Sequence, residues 1–486
     1  MSLCRAPLVH VIVMAGLLIC NATLARANER LNVLFISVDD MNYDSLGVTG
    51  CKVQGISPNL DKFASEVILF TKAHVTIAVC QPTRATWMTA LYPHKNGARG
   101  FEKIKKGIPT LPEILRANGY YLGILGKVPH VVPSRGAAWH MALRAKELGL
   151  GRVPELYYKH AKQFFEKAKK QKQPFFLMAN SHDPHRPFAG SDQEKGRKRK
   201  NQNKKKTKKQ KPYPRVTDPY KPAEVTVPGF LPDIPEVRLE MSEYYTSVCR
   251  ADAIVGAVLR ALEESGMAEN TIVIFLSDHG MPLPFAKTNC YYHSTRTPLM
   301  VRWPGVVTPK TIDRTHFVSG IDLTPTILDA IQLPAIKKAD GRSFVPLLRG
   351  QRQKRRDTLF TVFHKTSGRR AYEMRATHDS QYIYIYNAWA DGKTIFRNES
   401  QNGRTMRAMR KAADSNPKIA ARVKLFLYRV PEELYDYKND PDGRHNLIND
   451  PKHQRALTRL RLQAQQQMRE LNDPVLKTYT NYLQSK

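Results

Sequence analysis

A doubly wound α/β sheet flanked by helices, with a smaller α+β unit at its C-terminal end, is the fold this sequence predicts. Three observations lead there. Apolar runs at 31–38, 120–125, 174–180 and 271–277 read as strands buried on both faces. Patterns of helical period separate them, at 111–118, 156–170 and 237–265. Each run also ends in a polar cluster, and open α/β sheets bind ligands beyond the carboxyl ends of their strands.

Before the first strand lies an export signal. Arg5 supplies the positive region, 8–20 is apolar, and Ala25-Arg26-Ala27 is a small-x-small cleavage site. The expected signal is 1–27, with the mature chain beginning at Asn28 in the periplasm or outside the cell. The apolar run is too short to span a bilayer comfortably, so no transmembrane span is expected. A formal charge of +34 calls for a polyanionic partner: nucleic acid, an anionic membrane or a charged polysaccharide. Export disfavours nucleic acid. Loss of the signal leaves Cys51, Cys80, Cys249 and Cys290, whose pairing the sequence does not settle, and no spacing suggests a zinc site.

The first strand ends in Asp39-Asp40 and the run 271–277 ends in Asp278-His279. Adjacent acids repel unless a cation lies between them. Two such strands brought together offer Asp39, Asp40 and Asp278 as hard oxygen ligands and His279 as a fourth side chain, a set that favours Ca²⁺ or Mg²⁺ and leaves Mn²⁺ or Zn²⁺ open. Between these strands stands Cys80-Gln81-Pro82-Thr83-Arg84. Pro82 fixes a rigid turn, and Arg84 one helical turn on is expected to lower the Cys80 thiol pKa and to hold an anion. The run 120–125 leads to Lys127 and His130, and 174–180 leads to His182-Asp183-Pro184-His185-Arg186. All of these belong in one shared cleft.

From 194 to 211 the chain is dense in Lys and Arg with no apolar period, a flexible cationic loop set between 192 and 212. The catalytic unit is expected over 28–350. A second unit, 351–486, has strands at 359–363 and 382–386, a strand and turn at 433–441, and a terminal amphipathic helix over 451–471.

Together, Cys80-x-Pro82-x-Arg84, the two acidic strand ends, Lys127, His130, His182, Lys287 and the stretch Glu433-Leu434-Tyr435-Asp436 resemble the sulfatase family over nearly the whole mature chain. The resemblance implies an alkaline-phosphatase-like mixed sheet and hydrolysis of sulfate esters or sulfamates. Its substrate would be a heparan-like glycosaminoglycan or another sulfated polysaccharide. It implies that a formylglycine-generating enzyme oxidises Cys80 to formylglycine (3-oxoalanine), whose hydrated gem-diol is the nucleophile. The metal, Ca²⁺ before Mg²⁺ or Mn²⁺, would be held by Asp39, Asp40, Asp278, His279 and the modified Cys80. Arg84 would hold the diol, His130 act as base, and His182 with Lys287 as acid. Lys127, His182, His185 and Lys287 would contact substrate. Gln81, Ala90 in place of a common Gly, and the Lys127–His130 spacing depart from the usual pattern. Three other functions fit the same residues: a phosphodiesterase or phosphonate hydrolase of the same superfamily, a catalytically silent polyanion-binding protein, and, least favoured because it leaves the metal ligands without a task, a thiol enzyme using Cys80 directly.

Overall fold

The structure, a computed structural model, describes residues 30–131, 138–195, 213–214 and 216–486. The expected export signal and the basic run from 196 to 212 lie outside the described residues. Strands β1 (Asn32–Asp39) and β7 (Thr271–Ser277) are apolar along their length because they are buried along their length. They pair in parallel, Phe35 with Ile274, and β1 pairs in parallel on its other side with β6 (Phe175–Pro184).

With β2 (Ile68–Phe70), β4 (Tyr121–Leu125), β5 (Met141–Leu143), β8 (Leu299–Arg302) and β9 (Thr311–Asp313), these form an eight-stranded sheet of order β5-β4-β6-β1-β7-β8-β2-β9. The sheet is mixed, since β8 runs antiparallel to both β7 and β2. A separate two-stranded pair joins β3 (Ala73–His74) to β10 (Val318–Ser319).

Alternation along β1 sends Val33 and Phe35 to one face and Leu34, Ile36 and Val38 to the other. Helices α1 (Cys80–Thr89), α2 (Leu111–Ala117) and α5 (Leu323–Ala330) cover the first face, contributing Trp87, Leu115 and Ile327. Helices α3 (Pro154–Lys170) and α4 (Pro235–Ser265) cover the second with Phe164 and Val255. Both faces carry helices, as a doubly wound sheet requires.

The C-terminal region holds a four-stranded antiparallel sheet: β11 (Leu359–Lys365), β12 (Ala371–His378), β13 (Tyr382–Asn387) and β14 (Glu432–Asp436), in that order. Helices α6 (Arg404–Ala413) and α7 (Pro417–Tyr428) are inserted between β13 and β14. Helix α8 (Gln454–Glu470) lays Leu457, Leu460, Ala464 and Met468 into the core, and α9 (Leu476–Gln484) closes the chain. Buried residues of this sheet, such as Phe360 and Tyr384, are continuous with the second face of the main core. Among the described residues Cys51, Cys80, Cys249 and Cys290 are all free thiols, and no helix is long and apolar enough to cross a membrane.

Candidate functional site

β1 and β7 are parallel neighbours, so their carboxyl ends open at one edge of the sheet. Asp39 closes β1, Asp40 turns the chain away at φ 69°, and Asp278 follows β7. The Asp278 N–H donates to the Val38 carbonyl at 3.1 Å, and the Asp40 N–H donates to Asp278 Oδ1 at 3.0 Å. Asp39, Asp40, Asp278 and His279 are fully buried. Buried carboxylates need partners, and three cations supply them. Lys127 pairs with Asp39, Arg84 lies 3.0 Å from Asp278 Oδ2, and Lys287 lies 2.8 Å from Asp40 Oδ2. Burial alone would raise Asp39, but Lys127 beside it holds its carboxyl well below the usual range. Asp278 is driven the other way, up, by burial and then by the charge of Asp39.

Cys80 opens α1, with Val79 extended before it and Pro82 inside the first turn, where a missing N–H costs nothing. The helix ends at Ala90 in the left-handed region, φ 55°, a position that suits Gly and explains why Gly is common there. Gln81 reaches away from the cleft to donate to the Glu102 carbonyl at 2.8 Å. Arg84 falls one turn beyond Cys80, and its guanidinium is consumed by the strand ends: it donates to Ser37 Oγ at 2.9 Å and Asn180 Oδ1 at 2.7 Å as well as to the two acids. This corrects the expectation that Arg84 lowers the Cys80 thiol. Burial, followed by the charge of Asp39, pushes that thiol well above its ordinary value.

Cys80 Sγ lies 3.3 Å from His279 Nε2. His279 Nδ1 is 3.0 Å from the Gly280 carbonyl, which places a proton on Nδ1 and leaves Nε2 facing Asp40 Oδ1 at 3.4 Å and Asp278 Oδ1 at 3.7 Å. Asp40 Oδ1 is buried without a hydrogen-bond partner. Ligand atoms of Asp39, Asp40, Cys80 and His185 converge within 4.8 Å of one another, as do those of Cys80, Asp278 and His279. An orphaned carboxylate oxygen, a neutral imidazole nitrogen and two further carboxylates fit a divalent cation.

The end of β6 and the residue just beyond it supply two histidines in different settings, His182 within the strand and His185 after it. Asp183 is buried between Arg152 and Arg250, 2.5 Å from Arg250 Nε, and Arg152 also donates to the His185 carbonyl at 2.8 Å. That clamp points His185 Nε2 at the cluster, 3.9 Å from Asp40 Oδ2. His182 packs on Gly151, where a Cβ would overlap its ring, and its Nε2 accepts the Lys127 N–H at 3.3 Å. His182 therefore braces the Lys127 turn, and His185 faces the acids. His130 follows in the short helix Val128–Val131, edge-on to Phe101, with Nδ1 buried and unpartnered. Burial and the Lys127 charge push its pKa down to about 3.

Glu399 was not among the expected site residues. It comes from the short turn Glu399–Asn402 ahead of α6, and it meets Lys287 Nζ at 2.9 Å and His185 Nε2 at 3.5 Å. The local sequence Asn398-Glu399-Ser400-Gln401-Asn402 reads as a solvated turn, and nothing in it signals a link to Lys287.

A mixed sheet whose strand ends gather an acidic, metal-ready cluster around the first residue of a helix is the architecture of an alkaline-phosphatase-like hydrolase. The family model described as sulfatase matches residues 31–333, and a second, described as the C-terminal part of N-sulphoglucosamine sulphohydrolase, matches 278–397. The Homo sapiens N-sulphoglucosamine sulphohydrolase is 30% identical, covering 93% of this chain and 92% of that protein. An ulvan-active sulfatase of Formosa agariphila is 26% identical over 93% of this chain and 77% of its own length. The solved structure of a 2-O GAG sulfatase superposes with a TM-score of 0.65 at 20% identity, over 92% of this chain and 93% of that one, and shares the fold. The chain belongs to the sulfatase family and is a sulfuric ester hydrolase.

Proposed function

We propose that this sulfatase is exported and removes sulfate, from oxygen or from nitrogen, from a sulfated polysaccharide of heparan-like glycosaminoglycan type. The observation that carries the reading is the setting of Cys80, its sulfur 3.3 Å from His279 and within reach of the converging carboxylates. The 30% identity to an N-sulphoglucosamine sulphohydrolase favours the glycosaminoglycan, and the ulvan-active relative extends the class to other sulfated polysaccharides.

Asp39, Asp40, Asp278, His279 and the modified Cys80 would hold Ca²⁺, which offsets charge on the nucleophile and on the sulfuryl oxygens. Cys80, oxidised by a formylglycine-generating enzyme, supplies a hydrated aldehyde with one hydroxyl to attack sulfur and another to expel sulfate. Lys127 is anchored by Asp39, and Lys287 by Asp40 and Glu399, which leaves each ammonium at least one donor for sulfuryl oxygens. Arg84 fixes Asp39 and Asp278 at the strand ends. His185 Nε2, held by the Arg152 clamp, hands a proton to the leaving oxygen or nitrogen, while His182 keeps Lys127 in place. His130, whose Nδ1 is buried and unpartnered, is the base for the proton released when sulfate departs.

Two measurements on protein exported by its own host test this. Peptide mass spectrometry should find the Cys80 peptide about 18 Da lighter than the thiol, with the mature chain starting at Asn28. Sulfate release should follow with N-sulfated or O-sulfated heparan fragments. A wholly unmodified Cys80 in active protein would rule the mechanism out.

A further inference from the structure

Helix α6 begins just after the turn that carries Glu399 into the site. Its direction is fixed. Gly403 lies flat against Arg186, Arg186 pairs with Glu240 of α4 at 2.9 Å, and Glu240 accepts the Thr405 N–H at 2.5 Å. Met406 and Met409 are buried on one side of α6, and Arg407, Arg410 and Lys411 are exposed on the other. The helix thus leaves the rim of the pocket with a cationic face outward. At ~1.5 Å per residue, its ten residues extend that face by about 15 Å.

The charge on this face is not neutralised locally. From Lys393 to Lys424 there are nine lysines and arginines against two acids, Glu399 and Asp414. Glu399 is turned inward to Lys287. Arg404 is paired with Glu243 and Asp192, while Arg407, Arg410 and Lys411 make no ion pair among the described residues. Two of these are held in place: Arg407 donates to the Asn402 carbonyl at 2.7 Å, and Arg410 donates to Gln401 Oε1 at 3.0 Å. Both guanidinium groups fold back toward the turn at the pocket mouth. Removing a sulfate needs cations in the pocket, but it does not need an ordered, unpaired row of them outside it.

We infer that the outer face of α6 binds the anionic chain flanking the sulfate under attack, so that the protein engages an oligomeric sulfated saccharide and not only the unit that carries the reacting group. The inference rests on the reading of the substrate as a sulfated polysaccharide. Ordered arginines lose little side-chain freedom when they meet sulfate or carboxylate groups, and the counterions released from the polyanion make the binding salt-dependent.

The test replaces Arg407, Arg410 and Lys411 together by Gln. The control replaces Lys337, Arg352 and Lys354, exposed cations near the far end of α1, where the Asp340 N–H meets the Ala90 carbonyl and Arg342 meets the Lys354 carbonyl. Binding of a size-defined heparin hexasaccharide is measured against salt, and kcat/KM is compared between that hexasaccharide and N-sulfoglucosamine. The α6 variant should bind about tenfold more weakly with a shallower salt slope, and its hexasaccharide-to-monosaccharide ratio of kcat/KM should fall by a similar factor. The control variant should keep both. Equal losses in the two variants, or none in the α6 variant, overturn the inference. So does tighter wild-type binding to phosphatidylserine vesicles than to the hexasaccharide. If the wild type binds the hexasaccharide but releases no sulfate from any sulfated saccharide, the proposed function fails, and the hexasaccharide binding of the two variants still decides this inference.

Discussion

Lys287 Nζ stands between Asp40 Oδ2 at 2.8 Å and Glu399 Oε2 at 2.9 Å, bridging the end of β1 to a turn from the C-terminal region. A lysine assigned to sulfuryl oxygens therefore carries a carboxylate beside it, and that carboxylate repels any anion entering the pocket. Glu399→Gln removes the repulsion and keeps a side chain of similar size. Inorganic sulfate should then inhibit about tenfold more tightly, ~1.4 kcal/mol, a reasonable figure for like charges several ångströms apart in a partly solvated cleft. The inhibition constant for sulfate measures it. An unchanged or weaker constant would mean that Glu399 acts only as a tether for Lys287.

Cys80→Ala tests the nucleophile without disturbing the helix, since Ala is a good helix former and the sulfur makes one polar contact, to His279. Sulfate release should fall by at least about a thousandfold, with little change in thermal midpoint. Residual activity close to wild type would remove Cys80 from the chemistry.

If the acidic cluster holds the proposed divalent ion, stability should depend on that ion. Free Ca²⁺ at one hundred times its dissociation constant should add ~2.7 kcal/mol, seen as a higher thermal midpoint that a chelator reverses. Asp40→Asn should abolish the gain, because Asp40 brings the unpartnered Oδ1 that faces His279. Elemental analysis finding equal metal in wild type and variant would contradict that ligand set.

Much of this site was legible because burial and chemistry coincide at strand ends. Continuous apolar runs such as 271–277 have little freedom to be anything but central strands, so the acids after them had to share an edge. Strand β12 was not legible: Ala371–His378 mixes Glu, Arg, Thr and His, and Arg375, Thr377 and His378 are buried in pairings made by other segments, such as Arg375 with Asp473 of the α8–α9 connection. The direction of Arg84 was missed for a similar reason. Spacing along α1 put it near Cys80, but its partners Ser37 and Asn180 come from two other strands. The resemblance gave the acid role to His182 and substrate contact to His185; in our reading the acid role moves to His185, because His182 Nε2 is taken up by the Lys127 N–H while the Arg152–Asp183 clamp turns His185 Nε2 toward the cluster.

That clamp carries the fourth prediction. Asp183 is buried and satisfies two arginines, so Asp183→Ala leaves Arg152 and Arg250 short of their counter-charge. Removing one partner of a buried pair costs about 3–5 kcal/mol. Urea unfolding should show a loss of that order. A loss below about 1 kcal/mol would mean that Glu194, 3.4 Å from Arg250, takes over the pairing.

The last prediction concerns acid. His74 of β3 and His378 of β12 are fully buried at the junction of the two sheets, with ring centroids 4.9 Å apart, His378 Nε2 lying 3.2 Å from Thr361 Oγ1. Burial pushes His378 down to about 3, with Asp379 a weak opposing influence. Burial and then the neighbouring His378 push His74 well below its usual value, and Arg296 adds to the effect. Both histidines are neutral when folded, whereas in the unfolded chain they take protons near pH 6.5. Their stabilisation is therefore complete above about pH 6.5 and is lost as the pH falls toward the folded values, each contributing ~1.4 kcal/mol per pH unit in that window. Between pH 7 and pH 5 His378 alone should cost about 2 kcal/mol of unfolding free energy, and His74 adds to the loss in the same direction. His378→Leu, compared with wild type at saturating Ca²⁺, should lower stability at pH 7 and flatten its slope with pH between pH 7 and pH 5. Parallel slopes for the two proteins would place the acid sensitivity elsewhere.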